Sequence, residues 1–127
     1  MSLKINIEQK NHTIYTISPI GDINTETYQE FQNKINSIIA LKPKAILLNM
    51  EGVKYISSLG LTTLFNAKKI IEEIGGSLIF TNLQPHIKKI FEVVKALSNL
   101  NVFESRQEAD DYLLYIERKE IEKNKKN

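Results

Sequence analysis

The chain has no cysteine and only two histidines among its 127 residues. Without thiols there can be no disulfide and no thiolate chemistry, which suits a reducing compartment. His12 and His86 each lack a second His, Cys or carboxylate at ligand spacing, so no metal site is expected and both read as surface residues. No G-x-S-x-G occurs and no histidine is placed to activate a serine, which argues against a hydrolase. Phosphate-cradling glycine motifs of the G-x-x-x-x-G-K or G-x-G-x-x-G type are missing, so no nucleotide cofactor is expected from motif. Long apolar runs are missing as well. None approaches the ~20 residues that cross a bilayer, and MSLKINIEQK has no signal-peptide core, so the expectation is no membrane span and a cytoplasmic location. Neither sign of charge is in excess: 17 Lys and Arg against 15 Asp and Glu leave a net +2, too little to demand nucleic acid. No internal repeat or low-complexity segment stands out.

What remains is an ordinary globular composition, 42% hydrophobic and 25% charged, of one-domain length. Two apolar periods alternate along it. Leu3-Ile5-Ile7 and Thr13 to Ile20 follow the period-two pattern of strands, with His12 in the turn of an antiparallel hairpin. Tyr28, Phe31, Ile35, Ile38 and Ile39 form a helical stripe that Asn24 or Thr25 can cap and that ends near Lys42-Pro43. Ala45 to Leu48 is a buried strand. Leu61, Leu64, Ala67 and Ile71 mark a second helix, stopped by Gly75-Gly76. Ser77 to Thr81 reads as a fourth strand, and Pro85 opens a helix carrying Ile87, Ile90, Phe91 and Val94. Val102-Phe103 adds a short edge strand. Ser105-Arg106-Gln107-Glu108 is a capping box before a last helix with Ala109, Tyr112, Leu113 and Ile116 inward. Helices alternating with strands after a hairpin imply an α/β domain, a mixed four- to five-stranded sheet with about four helices packed against it. The domain is expected over residues 1–117. Residues 118–127, RKEIEKNKKN, read as a frayed helix end passing into disorder; Lys123, Lys125 and Lys126 read as solvated, with contact to an acidic partner or a membrane surface as the alternative.

The segment from Ala45 to Phe65, AILLNMEGVKYISSLGLTTLF, carries the chemistry. A buried strand turns at Glu51-Gly52 and re-enters as a helix, with the adjacent hydroxyls of Ser57 and Ser58 at the junction. A helix start leaves N–H groups unpaired and carries the positive end of the macrodipole, so it suits an anionic group. Read by position alone, Ser58 is the N-cap, an interaction worth about 1 kcal/mol. Gly60 in a first helical turn costs near 1 kcal/mol relative to alanine, which close approach of another chain, or a tight crossing within the domain, would explain.

Asn49-Met50-Glu51-Gly52-Val53 and Tyr55-Ile56-Ser57-Ser58-Leu59-Gly60-Leu61, between strand and helix, resemble the signature of the STAS domain, the anti-sigma factor antagonist fold of bacterial partner-switching systems. Gly21-Asp22-Ile23-Asn24-Thr25 is similar to a second element of that family, and the resemblance runs over roughly Lys4 to Ile116. It implies a non-enzymatic protein that binds an anti-sigma factor of the switch-kinase type and frees a sigma factor. In family members the kinase phosphorylates a serine at the start of the helix after the third strand, which blocks binding, and a phosphatase reverses it. The family motif Asp-Ser-Ser-Gly is altered here. With Gly60 as the motif glycine, Ser57 takes the Asp position, Ser58 the first serine, and Leu59 the acceptor. Ser58, then Ser57, are the phosphoacceptor candidates. Asn24 and Asn49 stand where carboxylates are common, leaving Asp22 as the acidic residue expected near the serines.

The partner surface expected from the resemblance comprises Asp22, Asn24, Thr25, Ser57, Ser58, Leu59, Gly60, Thr62, Thr63 and Asn66. A phosphoryl group there adds roughly −1.5 to −2 charges, and an interface fitted to a neutral hydroxyl loses affinity. Two other classes fit the same sequence: a phosphorylation-independent STAS scaffold or lipid-transport component, which Leu59 at the acceptor position favours, and a small-molecule or nucleotide-binding STAS domain using the helix start as an anion site.

Overall fold

Strands β1 (Lys4–Asn11) and β2 (Ile14–Ile20) form an antiparallel hairpin whose turn is set by Asn11. The Asn11 side-chain carbonyl accepts from the Thr13 N–H at 2.9 Å and from the Thr13 hydroxyl at 3.0 Å. This computed structural model describes residues 3–98, 101–104 and 106–126. After the hairpin come α1 (Tyr28–Ile39), β3 (Ala45–Asn49), α2 (Ser58–Glu73), β4 (Ser77–Thr81), α3 (Pro85–Ser98), β5 (Asn101–Phe103) and α4 (Arg106–Lys126).

The five strands lie in sequence order, β1 antiparallel to β2 and the rest parallel. Each parallel neighbour is reached by a helical crossover, and crossovers of one hand stepping one way put their helices on one face. The core reflects this. Ile46 and Leu48 of β3, with Phe80 of β4, pack against Phe31 and Ile35 of α1, Leu64, Ala67 and Ile71 of α2, and Ile87 and Phe91 of α3. Phe80 meets Phe91 edge to face, centroids 5.1 Å apart, an arrangement the ring quadrupole favours. On the opposite face Ile14, Ala45, Leu47 and Ile79 are covered by Ala109 and Leu113 of α4. β3 is therefore buried on both faces, the reason its sequence is a continuous apolar run rather than an alternating one.

The expected α/β architecture is present, with five strands and four helices. Three local expectations change. Helix α1 begins at Tyr28, because the residues from Asn24 to Thr27 form a separate hydrogen-bonded turn before it. Helix α4 runs through the charged segment to Lys126 rather than fraying at Arg118, since Glu and Lys are good helix formers and Lys119 reaches Glu122 at 3.9 Å. Ser57, not Ser58, is the N-cap of α2. His12 and His86 are exposed. The capping role expected of Ser105 and the inward side chain expected of Val94 lie outside the described residues, as do the side chains of Lys123, Lys125 and Lys126.

Candidate functional site

At the carboxyl end of β3, Asn49 fixes the first of two loops. Its side-chain carbonyl accepts from the Glu51 N–H and from Asn82 Nδ2, both at 3.1 Å. Gln84 Nε2 donates to the Glu51 carbonyl, so the turn that carries the chain toward α2 is held from the segment after β4 as well as from the end of β3. Asn82 sits at φ 58°, a left-handed conformation that asparagine tolerates better than most residues. Asn49 is thus a turn-fixing amide, which explains its presence where the resemblance led one to look for a carboxylate.

The second loop, from β2 to α1, runs beside the first and is sewn to it by backbone. Gly21, at φ 123°, donates to the Gly52 carbonyl at 3.0 Å. Ile23 forms an isolated parallel bridge with Ile56: its N–H donates to the Tyr55 carbonyl at 3.0 Å, and its carbonyl accepts from Ser57 N–H at 2.8 Å. Asn24 accepts through its side chain from the N–H groups of Glu26 (2.9 Å) and Thr27 (3.1 Å), and so caps the turn before α1 as a short acceptor side chain can. Thr27 answers by accepting from the Asn24 N–H at 3.0 Å and donating to the Asp22 carbonyl at 2.6 Å. Thr27 escaped the sequence reading, although Asn-x-x-Thr has the reciprocal spacing of a capping box.

The two serines at the start of α2 have opposite environments. Ser57 is extended (φ −84°, ψ 172°), 9% exposed, and its Oγ accepts from the Gly60 N–H at 3.1 Å. Ser58 is the first helical residue and is exposed. Gly60 explains itself at this point: a Cβ there would lie 2.7 Å from Ile56 Cγ1, 2.8 Å from Ile23 Cγ2 and 3.0 Å from the Ile23 carbonyl oxygen. The crossing of the two loops inside the domain accounts for the glycine.

Beyond the cap, the helix separates its residues by face. Thr63, counted on the exposed side from sequence, is 5% exposed and donates to the Leu59 carbonyl at 2.9 Å. It belongs to the inner face because Leu64 and Ala67, its neighbours in the core stripe, leave little arc between them. Gly60 and Ser57 are buried with it, and Asn24 is half-buried. The surface comprises Asp22 and Thr25 on one loop, Tyr55 (47% exposed) on the other, and Ser58, Leu59 (42% exposed), Thr62 and Asn66 on the helix. Thr62 donates to the Ser58 carbonyl at 3.0 Å. This is a mixed crest of hydroxyl, amide and apolar groups at a helix N-terminus. Tyr55 and Leu59 as its apolar prominences were not legible from periodicity, since both lie outside the core stripe.

Elsewhere, Lys88 of α3 donates to Glu104 after β5 at 2.9 Å over a crevice lined by Leu83, Phe91 and Val102. The hydrogen bond and the opposite charge hold the Glu104 carboxyl below its ordinary range and the Lys88 ammonium above its own. Among the described residues no group of three or more His, Cys, Asp and Glu could hold a metal ion, and no helix is long and apolar enough to cross a membrane.

Comparison with known proteins places the fold. BtrV of Bordetella bronchiseptica, named an anti-sigma factor antagonist, is 26% identical over 89 residues, 70% of this chain and 77% of its own. An anti-sigma factor antagonist from Mycobacterium paratuberculosis superposes with a TM-score of 0.76 at 16% identity, covering 91% of this chain and 94% of the other. The anti-sigma factor antagonist SpoIIAA in its unphosphorylated form gives 0.70 at 17% identity, covering 88% and 98%. Its phosphorylated form gives 0.69 at 19%, covering 87% and 99%. At these identities the structures speak to the fold alone. Residues 4–109 match the STAS domain model, and the chain belongs to the STAS domain family.

Proposed function

We propose that this STAS domain acts as an anti-sigma factor antagonist, binding an anti-sigma factor of the switch-kinase type through the crest at the start of α2 and so freeing a sigma factor. The observation that carries the reading is the Ile23–Ile56 bridge, which holds the β2–α1 loop and the α2 N-terminus together as one preformed surface. The similarity to BtrV supports the same role.

Regulation by phosphorylation at Ser58 belongs to this reading. Ser58 offers an exposed hydroxyl beside the positive end of α2, where a phosphate gains the helix dipole without burial. Ser57 has its oxygen turned to Gly60 N–H and little exposure, so a kinase would have to uncap the helix to reach it. The exposed Leu59, at the position the family uses as acceptor, favours one second reading: a phosphorylation-independent scaffold, in which the same crest binds its partner constitutively.

Titration calorimetry with a purified switch-kinase anti-sigma factor from the same genome tests the binding. Ser58→Asp is expected to weaken it at least tenfold and Ser58→Ala to preserve it, because the first plants a charge at the centre of the surface. Equal affinity of the Asp variant and wild type takes Ser58 out of the interface. Tandem mass spectrometry after incubation with that kinase and ATP tests the regulation: phosphate on Ser58 is the expected result, phosphate on Ser57 reverses the assignment, and none on either, with the kinase shown active on another substrate, selects the constitutive scaffold.

A further inference from the structure

Strand β1 is the edge of the sheet, and its outward backbone groups can be assigned. On β2 the Thr13 carbonyl accepts from Lys44 and Ala45, and Gly21 N–H donates to Gly52, so the odd-numbered positions of that strand direct their backbone groups toward β3 and the loop after it. Pro19, also odd, has no N–H to give β1. The groups of β2 that meet β1 are therefore those of Thr16, Ser18 and Ile20, whose partners are Glu8, Asn6 and Lys4. Alternation along an antiparallel ladder then leaves the N–H and C=O of Ile5 and Ile7 pointing away from the sheet. Between Lys4 and Glu8 the outer edge thus presents the backbone groups of Ile5 and Ile7, with Ile7 exposed and Ile5 half-buried.

Exposed edges are usually protected by charge, which repels or misaligns an incoming strand. Here the charges do the opposite for one particular visitor. Lys4-Ile5-Asn6-Ile7-Glu8 is self-complementary about its middle residue. Laid antiparallel on a copy of itself with Asn6 opposite Asn6, it sets Lys4 against Glu8, Ile5 against Ile7, and the same again in reverse. The backbone agrees with that register. Ile5 and Ile7, whose groups face outward, become the hydrogen-bonded pairs, and Asn6 and the Lys4–Glu8 pairs take the narrow positions where opposing side chains lie closest. A parallel copy would instead stack like on like. The Lys10–Asp110 ion pair (3.3 Å) and the Asn11–Glu117 hydrogen bond (2.8 Å) tie α4 to the far end of this strand, and among the described residues no side-chain hydrogen bond or ion pair engages Lys4 to Glu8.

We infer that β1 is a homodimerisation edge: a second copy of this chain pairs antiparallel through Lys4–Glu8 about a two-fold axis at Asn6, joining two five-stranded sheets into one. The seam uses the outer edge of β1, while the crest belongs to α2 and the loops beside it. An interface of this kind is small, about 1,000 Å² or less, so the dimer forms reversibly and at high concentration.

Sedimentation velocity of the full chain from about 10 μM to about 1 mM, the range in which so small an interface assembles, is expected to show a concentration-dependent shift toward twice the monomer mass. Lys4→Glu and Glu8→Lys each place like charges face to face and should abolish the shift, while the double variant Lys4→Glu/Glu8→Lys restores it. The register has its own probe because the chain has no native cysteine. Asn6→Cys, at a narrow pair with Cα atoms about 4.5 Å apart, should oxidise to a disulfide-linked dimer, and Ile7→Cys should not. Circular dichroism confirms that each variant is folded. A wild type that stays monomeric throughout the range overturns the inference, as does a dimer that survives either single charge reversal or an Asn6→Cys protein that fails to cross-link.

Discussion

Replacing Gly60 by alanine gives a direct measure of how tightly the two loops cross. In an unconstrained helix the change would stabilise by about 1 kcal/mol, since alanine loses less backbone entropy than glycine. Here the new methyl meets three atoms at 2.7, 2.8 and 3.0 Å. Two are isoleucine side-chain carbons of a filled core. The third is the Ile23 carbonyl oxygen, which cannot retreat without stretching its 2.8 Å bond from Ser57 N–H. Three contacts this short, one of them to backbone, put the overpacking at about 2–3 kcal/mol, the upper part of its usual range, before the propensity gain of about 1 kcal/mol is credited. The expected net result is destabilisation of about 1–2 kcal/mol, or a fall in Tm of roughly 3–5 °C for each kcal/mol in a chain of this length. Urea unfolding followed by circular dichroism reads the difference directly, with Ser58→Ala as the companion that alters the same turn without a clash. A Gly60→Ala protein as stable as wild type, or more so, refutes the reasoning, because it would mean that the loop carrying Ile23 yields at no cost and that the bridge to Ile56 does not fix it.

Other outcomes follow from the same geometry. Ser57→Ala should cost about 1 kcal/mol in chemical unfolding through loss of the cap, and Ser58→Ala less than about 0.5 kcal/mol; the reverse order would restore Ser58 as the cap. Leu113→Ala removes a fully buried side chain from the face that α4 covers and should cost about 2–5 kcal/mol, with hydrogen exchange accelerated first in α4. The Glu104 carboxyl is held below its ordinary value by Lys88, so the pair stabilises the fold above the ordinary carboxylate range and the contribution fades as pH falls through the lowered value. Lys88→Met should accordingly fall below wild type in Tm near neutrality and meet it in acid; a gap that persists at low pH would trace to packing instead.

The sheet was legible because its signals are local and redundant. Ala45 to Leu48 could be nothing but a buried strand, and Ser77 to Thr81 lies between a glycine pair and a helix-opening proline. The site was only partly legible. Ser57 and Ser58 are chemically identical, and what separates them is a one-residue difference in backbone angle, visible only once Gly60 N–H is placed. Thr62 and Thr63 pose the same problem: adjacent, alike, and turned by the helix to opposite environments. Asn49 was recognised as unusual for its place, yet its contact with Asn82 lies 33 residues away in sequence, beyond anything a periodicity can register. The close crossing at Gly60 was suspected from a cost that needed an explanation, but whether the neighbour was internal or foreign depended on the position of Ile23.

The bridge between Ile23 and Ile56 separates what shapes the crest from what a partner would read on it. The groups that hold its form are main-chain amides and inward-facing residues: Ile23, Ile56, Ser57, Gly60, and the half-buried Asn24. Those it displays, Asp22, Thr25, Tyr55, Ser58, Leu59, Thr62 and Asn66, are exposed, and surface changes of that kind usually shift stability by no more than about 0.5 kcal/mol. On the proposed reading of the crest as a partner surface, recognition can drift from one partner to another by substitution at the display positions without passing through an unstable intermediate, while a change at any shaping position would penalise every partner equally.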